Sequence, residues 1–167
     1  MVKRSLLKLL VYLALSCAGQ TFAVESDELL QPDDAFQFSA KVNKADPLLL
    51  SWDIANGYYL YRHKIKVVSL TDGIKVSEPS FPASQTKHDK FFGEVDIYRD
   101  HLEIEILLKR QEPTQNKLML EVTFQGCAEV GVCYMPIQKT LSLDLSDENL
   151  VVPHVDIHGR AGYEIHS

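Results

Sequence analysis

Apolar residues recur at every second position through most of this chain, and that period dictates strands. A helix would scatter such a set around its circumference, whereas a strand puts it on one face. Phe36, Phe38, Ala40 and Val42 alternate with polar residues, and Leu48, Leu50, Trp52 and Ile54 repeat the pattern after the Asp46-Pro47 break. Asn56-Gly57 is a strong hairpin turn. The next strand is expected from Tyr58 to about Val68, ending before the turn signal Asp72-Gly73. Leu102, Ile104, Ile106 and Leu108 alternate again, then Leu118, Leu120, Val122 and Phe124, and finally Leu141, Leu143 and Leu145. Seven or more short strands at this spacing predict an all-β fold, an antiparallel β-sandwich.

Three segments break the pattern. Residues 79–93 carry Pro79 and Pro82 and end in Lys87-His88-Asp89-Lys90-Phe91-Phe92-Gly93, which reads as a long polar loop with two adjacent aromatic residues. Loops of that length tend to carry function or to be disordered. Residues 111–116 read as a plain surface connection. The stretch 148–167 has no clear period and is expected to be a C-terminal tail or linker. There is no internal repeat.

The first 23 residues look built for export. Lys3, Arg4 and Lys8 give a positive start, Leu9 to Ala14 form a short apolar run, and small residues follow, with Ala23 the preferred cleavage position over Ala18. The apolar run falls short of the roughly 20 residues of a spanning helix. Cys17 in Leu15-Ser16-Cys17-Ala18 is only a loose match to an acylation site. Removing 1–23 takes three positive charges from a chain of net charge −6, leaving about −9 on ~144 residues. Such acidity argues against nucleic acid and anionic membrane surfaces as partners. The expected organisation is a signal peptide over 1–23, one domain over 24–147 and the tail over 148–167. Two cysteines remain, which suits an oxidising compartment.

Those two, Cys127 and Cys133, form a C-x5-C pair. Extended chain between them would span roughly 20 Å, whereas bridged cysteines need Cα atoms within about 7 Å, so the chain must double back. Gly131 makes the turn easy. A closed loop this small gives only about 2–2.5 kcal/mol of stabilisation in the chain-entropy picture, so spacing leaves a structural staple, a redox pair and free or metal-bound thiols all open. Glu129 is the sole charged residue between the cysteines, and no Lys, Arg or His lies between them to lower a thiol pKa. A redox pair in this setting attacks slowly and waits for a partner's thiolate to open it. Phe91 or Phe92 can serve as a lid over it, with core packing as the plainer role. Tyr59 and Tyr61 share one strand face, as a site lining or as cross-strand packing.

Gly57-Tyr58-Tyr59-Leu60-Tyr61-Arg62, Phe91-Phe92-Gly93 with Ile97-Tyr98-Arg99-Asp100, Gln125-Gly126-Cys127-Ala128 and Gly131-Val132-Cys133-Tyr134 together resemble, in order and spacing, the N-terminal periplasmic domain of the thiol:disulfide interchange protein DsbD. The resemblance runs from about Asp34 to Leu145. It implies an immunoglobulin-like sandwich with a cap loop over the cysteine pair. The implied function is a periplasmic thiol-disulfide exchange oxidoreductase whose cofactor is no more than the Cys127-Cys133 disulfide itself. The implied electron sources are thioredoxin-like CxxC domains fed by a DsbD-type membrane domain, and the implied recipients are disulfide isomerases and cytochrome c maturation proteins. Residue by residue, Cys133 matches the cysteine that forms mixed disulfides with partners and Cys127 the resolving one. Phe91 matches the phenylalanine of the cap, and Asp89, Tyr59 and Tyr61 match residues around the pair. Lys90 departs from an expected acidic residue and Val132 from an expected aromatic one.

Other readings make different predictions. A secreted β-sandwich binding module with a purely structural disulfide would share the fold. His154, His158 and His166 offer a loose metal-ligand spacing, better read as solvent-exposed side chains in a tail. No nucleophile elbow or paired catalytic carboxylate motif supports a hydrolase.

Overall fold

The computed structural model describes residues 29–42, 47–90, 92–146 and 151–152. The leader read over 1–23 with Cys17, the residue Phe91 and the three tail histidines lie outside the described residues. One helical turn, α1 (Pro32–Ala35), leads into the strands. In chain order these are β1 (Phe36–Val42), β2 (Leu48–Ile54), β3 (Tyr58–Tyr61), β4 (Lys66–Ser69), β5 (Ile74–Val76), β6 (Gln85–Asp89) and β7 (Gly93–Tyr98). They continue with β8 (His101–Ile106), β9 (Leu108–Arg110), β10 (Lys117–Phe124), β11 (Gly126–Ala128), β12 (Val132–Cys133), β13 (Ile137–Asp144) and β14 (Val151–Val152).

All pairings are antiparallel, in sheets of order β14-β1-β2-β8, β13-β10-β4, β12-β11-β3-β7-β6 and β5-β9. The alternation read from the sequence becomes burial: Phe36, Phe38, Ala40 and Val42 point inward from β1, opposite Ile54, Trp52, Leu50 and Leu48 of β2. From the other side β10 and β13 contribute Leu118, Leu120, Phe124, Leu141 and Leu143. The two inner faces meet where the Phe38, Trp52 and Phe124 rings pack, with centroids 4.9–6.1 Å apart. This is the sandwich core, and apolar burial drives it. The architecture is an immunoglobulin-like β-sandwich, as expected.

Four details differ from expectation. The strand expected over 58–68 divides, because Arg62-His63-Lys64 puts three polar residues in a row and coils into a 3₁₀ turn closed by Ile65 N–H on the Arg62 carbonyl. After Ile65 the chain leaves the β3 sheet, and β4 pairs with β10 instead. The polar loop over 79–93 contains a strand, β6, paired with β7. Its residues Gln85-Thr86-Lys87-His88-Asp89 lack apolar alternation because β6 is an edge strand with most of its side chains in solvent. Leu108 starts a separate strand, β9, after an exposed Leu107. Within the stretch read as tail, Val151 and Val152 pair with Lys41 and Ala40.

β3 is buried on both faces. Tyr58 and Leu60 join the main core, while Tyr59 and Tyr61 turn the other way into a second cluster with Ile97 and Cys127. That second cluster is the floor of the site.

Candidate active site

Cys127 on β11 and Cys133 on β12 face each other directly across the hairpin and are joined by a disulfide, with Cα atoms 3.9 Å apart. The turn between them is a three-residue loop: Gly131 N–H donates to the Ala128 carbonyl, and Gly131 takes a φ of +94°. That left-handed residue closes a hairpin bulge, which glycine adopts without a Cβ penalty. On the core side Gly126 lies so close to the Phe36 ring that a Cβ there would overlap Phe36 Cζ and stand 2.5 Å from the Tyr59 carbonyl oxygen. The core thus carries the hairpin on a residue with no side chain.

The two sulfurs sit in different surroundings. Cys127 is fully buried, whereas Cys133 is exposed. The Tyr61 hydroxyl lies beneath both, 3.4 Å from Cys127 Sγ and 3.9 Å from Cys133 Sγ. It donates to Asp89 Oδ2 at 2.5 Å, and Asp89 Oδ1 accepts the Phe92 N–H. Burial first, and then the Asp89 bond, push the Tyr61 pKa far above its ordinary value, so the hydroxyl stays protonated. The Tyr59 hydroxyl is 3.5 Å from that of Tyr61. Tyr59, Lys87, Asp89, Lys90 and Glu129 surround a small cavity of about 150 Å³ that opens onto Cys133. The structure therefore brings Tyr59, Tyr61, Asp89 and both cysteines into one place.

Glu129 at the tip of the turn is pinned. Its Oε2 accepts from Lys87 Nζ at 2.7 Å, and its Oε1 accepts from Arg99 Nη2 at 2.5 Å and Nε at 2.9 Å. Its N–H donates to the Gly57 carbonyl. Burial opposes ionisation, but the bonds from Lys87 and Arg99 overcome it and hold the Glu129 pKa below its usual value. Both cations also lie over the Tyr59 ring. Cations absent from the loop in sequence thus reach it from β6 and from the turn after β7. Glu129 takes up both Lys87 and Arg99 as ion-pair partners, while Lys90 lines the cavity beside Cys133.

Phe92, next to the expected cap residue, is exposed and packs edge-on against Tyr61 and His63, with Lys64 Nζ 4.5 Å from its ring centroid. Burial and then the neighbouring Lys64 lower the His63 pKa, with Asp89 opposing. A larger groove of about 860 Å³ runs past Arg62, Phe81, Phe92 and Val95, and neither cysteine lines it. Around Cys133 the rim is apolar and open: Val130 is 67% exposed, Val132 39% and Met135 83%.

The sequence reading did not include Lys87, Arg99, Phe36 or Tyr134 in the site. Glu129 was visible as the lone charge between the cysteines, but its partners lie 42 and 30 residues away, and period-two reading carries no pairing information at that range. Among the described residues no cluster of metal-ligating side chains forms, and no helix is long and apolar enough to cross a membrane.

Comparisons with known proteins assign the chain to a family. The family model described as thiol:disulfide interchange protein DsbD, N-terminal, matches residues 26–145. The thiol:disulfide interchange protein DsbD of Actinobacillus pleuropneumoniae serotype 5b is 36% identical over 145 residues, covering 86% of this chain and 24% of the relative. That of Escherichia coli K12 is 32% identical over 151 residues, covering 87% and 26%. The chain thus spans about a quarter of the length of these relatives. The reduced DsbD N-terminal domain of Neisseria meningitidis superposes with a TM-score of 0.66 at 30% identity, over 77% of this chain and 97% of that one. The same organism's domain in complex with the PilB N-terminal domain gives 0.56 at 30% identity, over 71% and 88%.

Proposed function

Because the chain belongs to the family of DsbD N-terminal domains, we propose that it is a periplasmic thiol-disulfide relay, taking two electrons from a thioredoxin-like CxxC donor and passing them to other thiol proteins. The observation that carries this reading is the asymmetry of the pair: one sulfur open at the end of a sheet, the other sealed over a hydroxyl.

The exchange follows from that asymmetry. A donor thiolate attacks Cys133 Sγ, the accessible sulfur, forming a mixed disulfide and expelling Cys127 as a thiolate. The Tyr61 oxygen, whose proton is donated to Asp89, lies 3.4 Å from the atom on which that charge forms. The donor's second thiolate then attacks its own sulfur in the mixed disulfide and releases Cys133. The donor leaves as a disulfide, and the domain holds two thiols after taking up two protons. Delivery runs the same steps in reverse: Cys133 attacks the recipient's disulfide and Cys127 resolves the adduct. Tyr59, Tyr61 and Asp89 hold the floor of the site, and the family resemblance assigns Phe91 the role of covering the pair. The apolar rim of Val130, Val132 and Met135 suits a partner's own apolar surround. A complex with the PilB N-terminal domain, formed by the similar Neisseria meningitidis domain, supports a protein rather than a small molecule as the exchange partner. Disulfide isomerases and cytochrome c maturation proteins are the proposed recipients, with a DsbD-type membrane domain as the ultimate source.

The test mixes the oxidised domain with a reduced thioredoxin-like protein and follows thiol alkylation. Rapid reduction is expected, and a Cys127→Ser variant, mixed instead with the oxidised form of the same partner, should trap a mixed disulfide as its Cys133 thiolate attacks the partner's disulfide and expels one partner thiolate. A bond that resists the partner in the native fold would leave only the structural disulfide.

A further inference from the structure

β12 is two residues long and has one neighbour, β11. In the oxidised form the disulfide itself ties the two strands together. Once it opens, β12 keeps its short ladder to β11 through Ala128 and Val132, and the further ties that hold it against the core gather on the next residue, Tyr134. Its N–H donates to the Gly126 carbonyl at 3.0 Å, and its carbonyl accepts from Gln125 Nε2 at 2.9 Å. Its ring lies edge-on to Phe36 and tilted against Tyr58, with centroids 5.5 and 6.2 Å away. Its hydroxyl donates to the Leu30 carbonyl at 2.5 Å, while the Leu30 N–H donates to the Tyr58 hydroxyl at 2.9 Å. The segment ahead of α1 is therefore strapped across Tyr134, and α1 itself is fastened by Asp33 to Lys139, whose side chain is fully buried.

We propose that Tyr134 is a positioning residue: with the Leu30 main chain it keeps Cys133 Sγ opposite Cys127 Sγ while both are thiols, and so sets the reduction potential of the pair. This deepens the relay reading and rests on it. Closing a dithiol becomes more favourable as one thiol is held nearer the other, because the ordering entropy has been spent beforehand. In the disulfide form the S–S bond already orders β12, so the contact forms there at no ordering cost; in the dithiol form the contact must supply that ordering itself, so it stabilises the disulfide more and makes the pair more reducing. A contact that stabilises both forms equally leaves the potential unchanged, since binding and stability are linked.

The whole chain is equilibrated in glutathione buffers, where closing the pair converts one glutathione disulfide into two glutathiones, and the oxidised fraction is read by alkylation. Tyr134→Phe removes only the bond to Leu30. It should lower the constant for disulfide formation about threefold to tenfold, a potential less negative by up to about 30 mV. Tyr58→Phe unties the same Leu30 main chain from the other side and should shift the constant in the same direction by less. Tyr98→Phe, which loses a bond to the Pro82 carbonyl that does not involve the hairpin, should leave it unchanged. An unchanged or raised constant for Tyr134→Phe overturns the proposal, as does a fall equal to that of the Tyr98 control. If Tyr134→Phe does not fold, Tyr58→Phe is judged by the same criterion. Failure of the relay reading would show separately, as no reduction of the wild-type chain by a thioredoxin-like protein, because the glutathione equilibrium needs no protein partner.

Discussion

Tyr61 and Tyr59 differ by one position on a face but not in what they hold. The Tyr61 hydroxyl satisfies a buried carboxylate at 2.5 Å and touches both sulfurs, while the Tyr59 hydroxyl has only a 3.5 Å contact with Tyr61. Tyr61→Phe removes a hydrogen-bond partner from the buried Asp89 carboxyl and should cost about 1–3 kcal/mol in urea unfolding, whereas Tyr59→Phe should cost no more than about 0.5 kcal/mol. Equal losses would mean that the Asp89 bond is not what stabilises the floor. At this scale the sequence was informative about residue type and poor about partners. Asp89, Tyr59 and Tyr61 were placed at the site through resemblance to a family, because alternation alone leaves Tyr59 and Tyr61 as ordinary cross-strand packing. Nothing in the order of residues announces that Asp89 lies under Tyr61 rather than in a polar loop.

Among elements, the hairpin of β11 and β12 depends on supports from strands far away in sequence. Gly126→Ala would force a Cβ against the Phe36 ring and the Tyr59 main chain, neither of which has room to yield, so a loss of about 3 kcal/mol is expected from thermal or urea unfolding. A near-neutral result would show that Phe36 can swing aside. The tip is held by charge. Glu129 has a folded-state pKa depressed below 4.5, so its contribution is complete above 4.5 and is lost as pH falls through the depressed value. Glu129→Gln should therefore be less stable than wild type at about pH 7, with the difference shrinking as the pH drops below 4.5; a pH-independent difference would remove the clamp. Strands with one buried face, such as β1, β2, β10 and β13, were legible as period-two runs because burial imposes that period. β6 was not, because an edge strand with most of its side chains in solvent carries little such constraint. The division between β3 and β4 was hidden for a related reason: Tyr58 to Val68 keeps enough apolar residues to read as one strand, and only pairing reveals that two sheets share it.

For the molecule as a whole, the core of Phe38, Trp52, Phe124 and their neighbours is built without help from the disulfide, which closes a loop of sequence separation 6. Reduction should therefore lower stability by only about 2–2.5 kcal/mol and leave the domain folded. Near-ultraviolet circular dichroism and urea titration of the two redox forms test this, and unfolding on reduction would make the bond a staple. The position of that bond in the sheet order has a further consequence. The sheet of the site ends in β12 at one side and in β6 at the other. β12 offers an incoming chain only two residues of main chain, too few for a lasting added strand. On the relay reading, a protein arriving at the β12 end meets the Cys133 side chain with little main chain beside it to pair with. An adduct formed there, on the same proposed reading, is held chiefly by the shared S–S link, and the expected complexes therefore last only until that link is resolved.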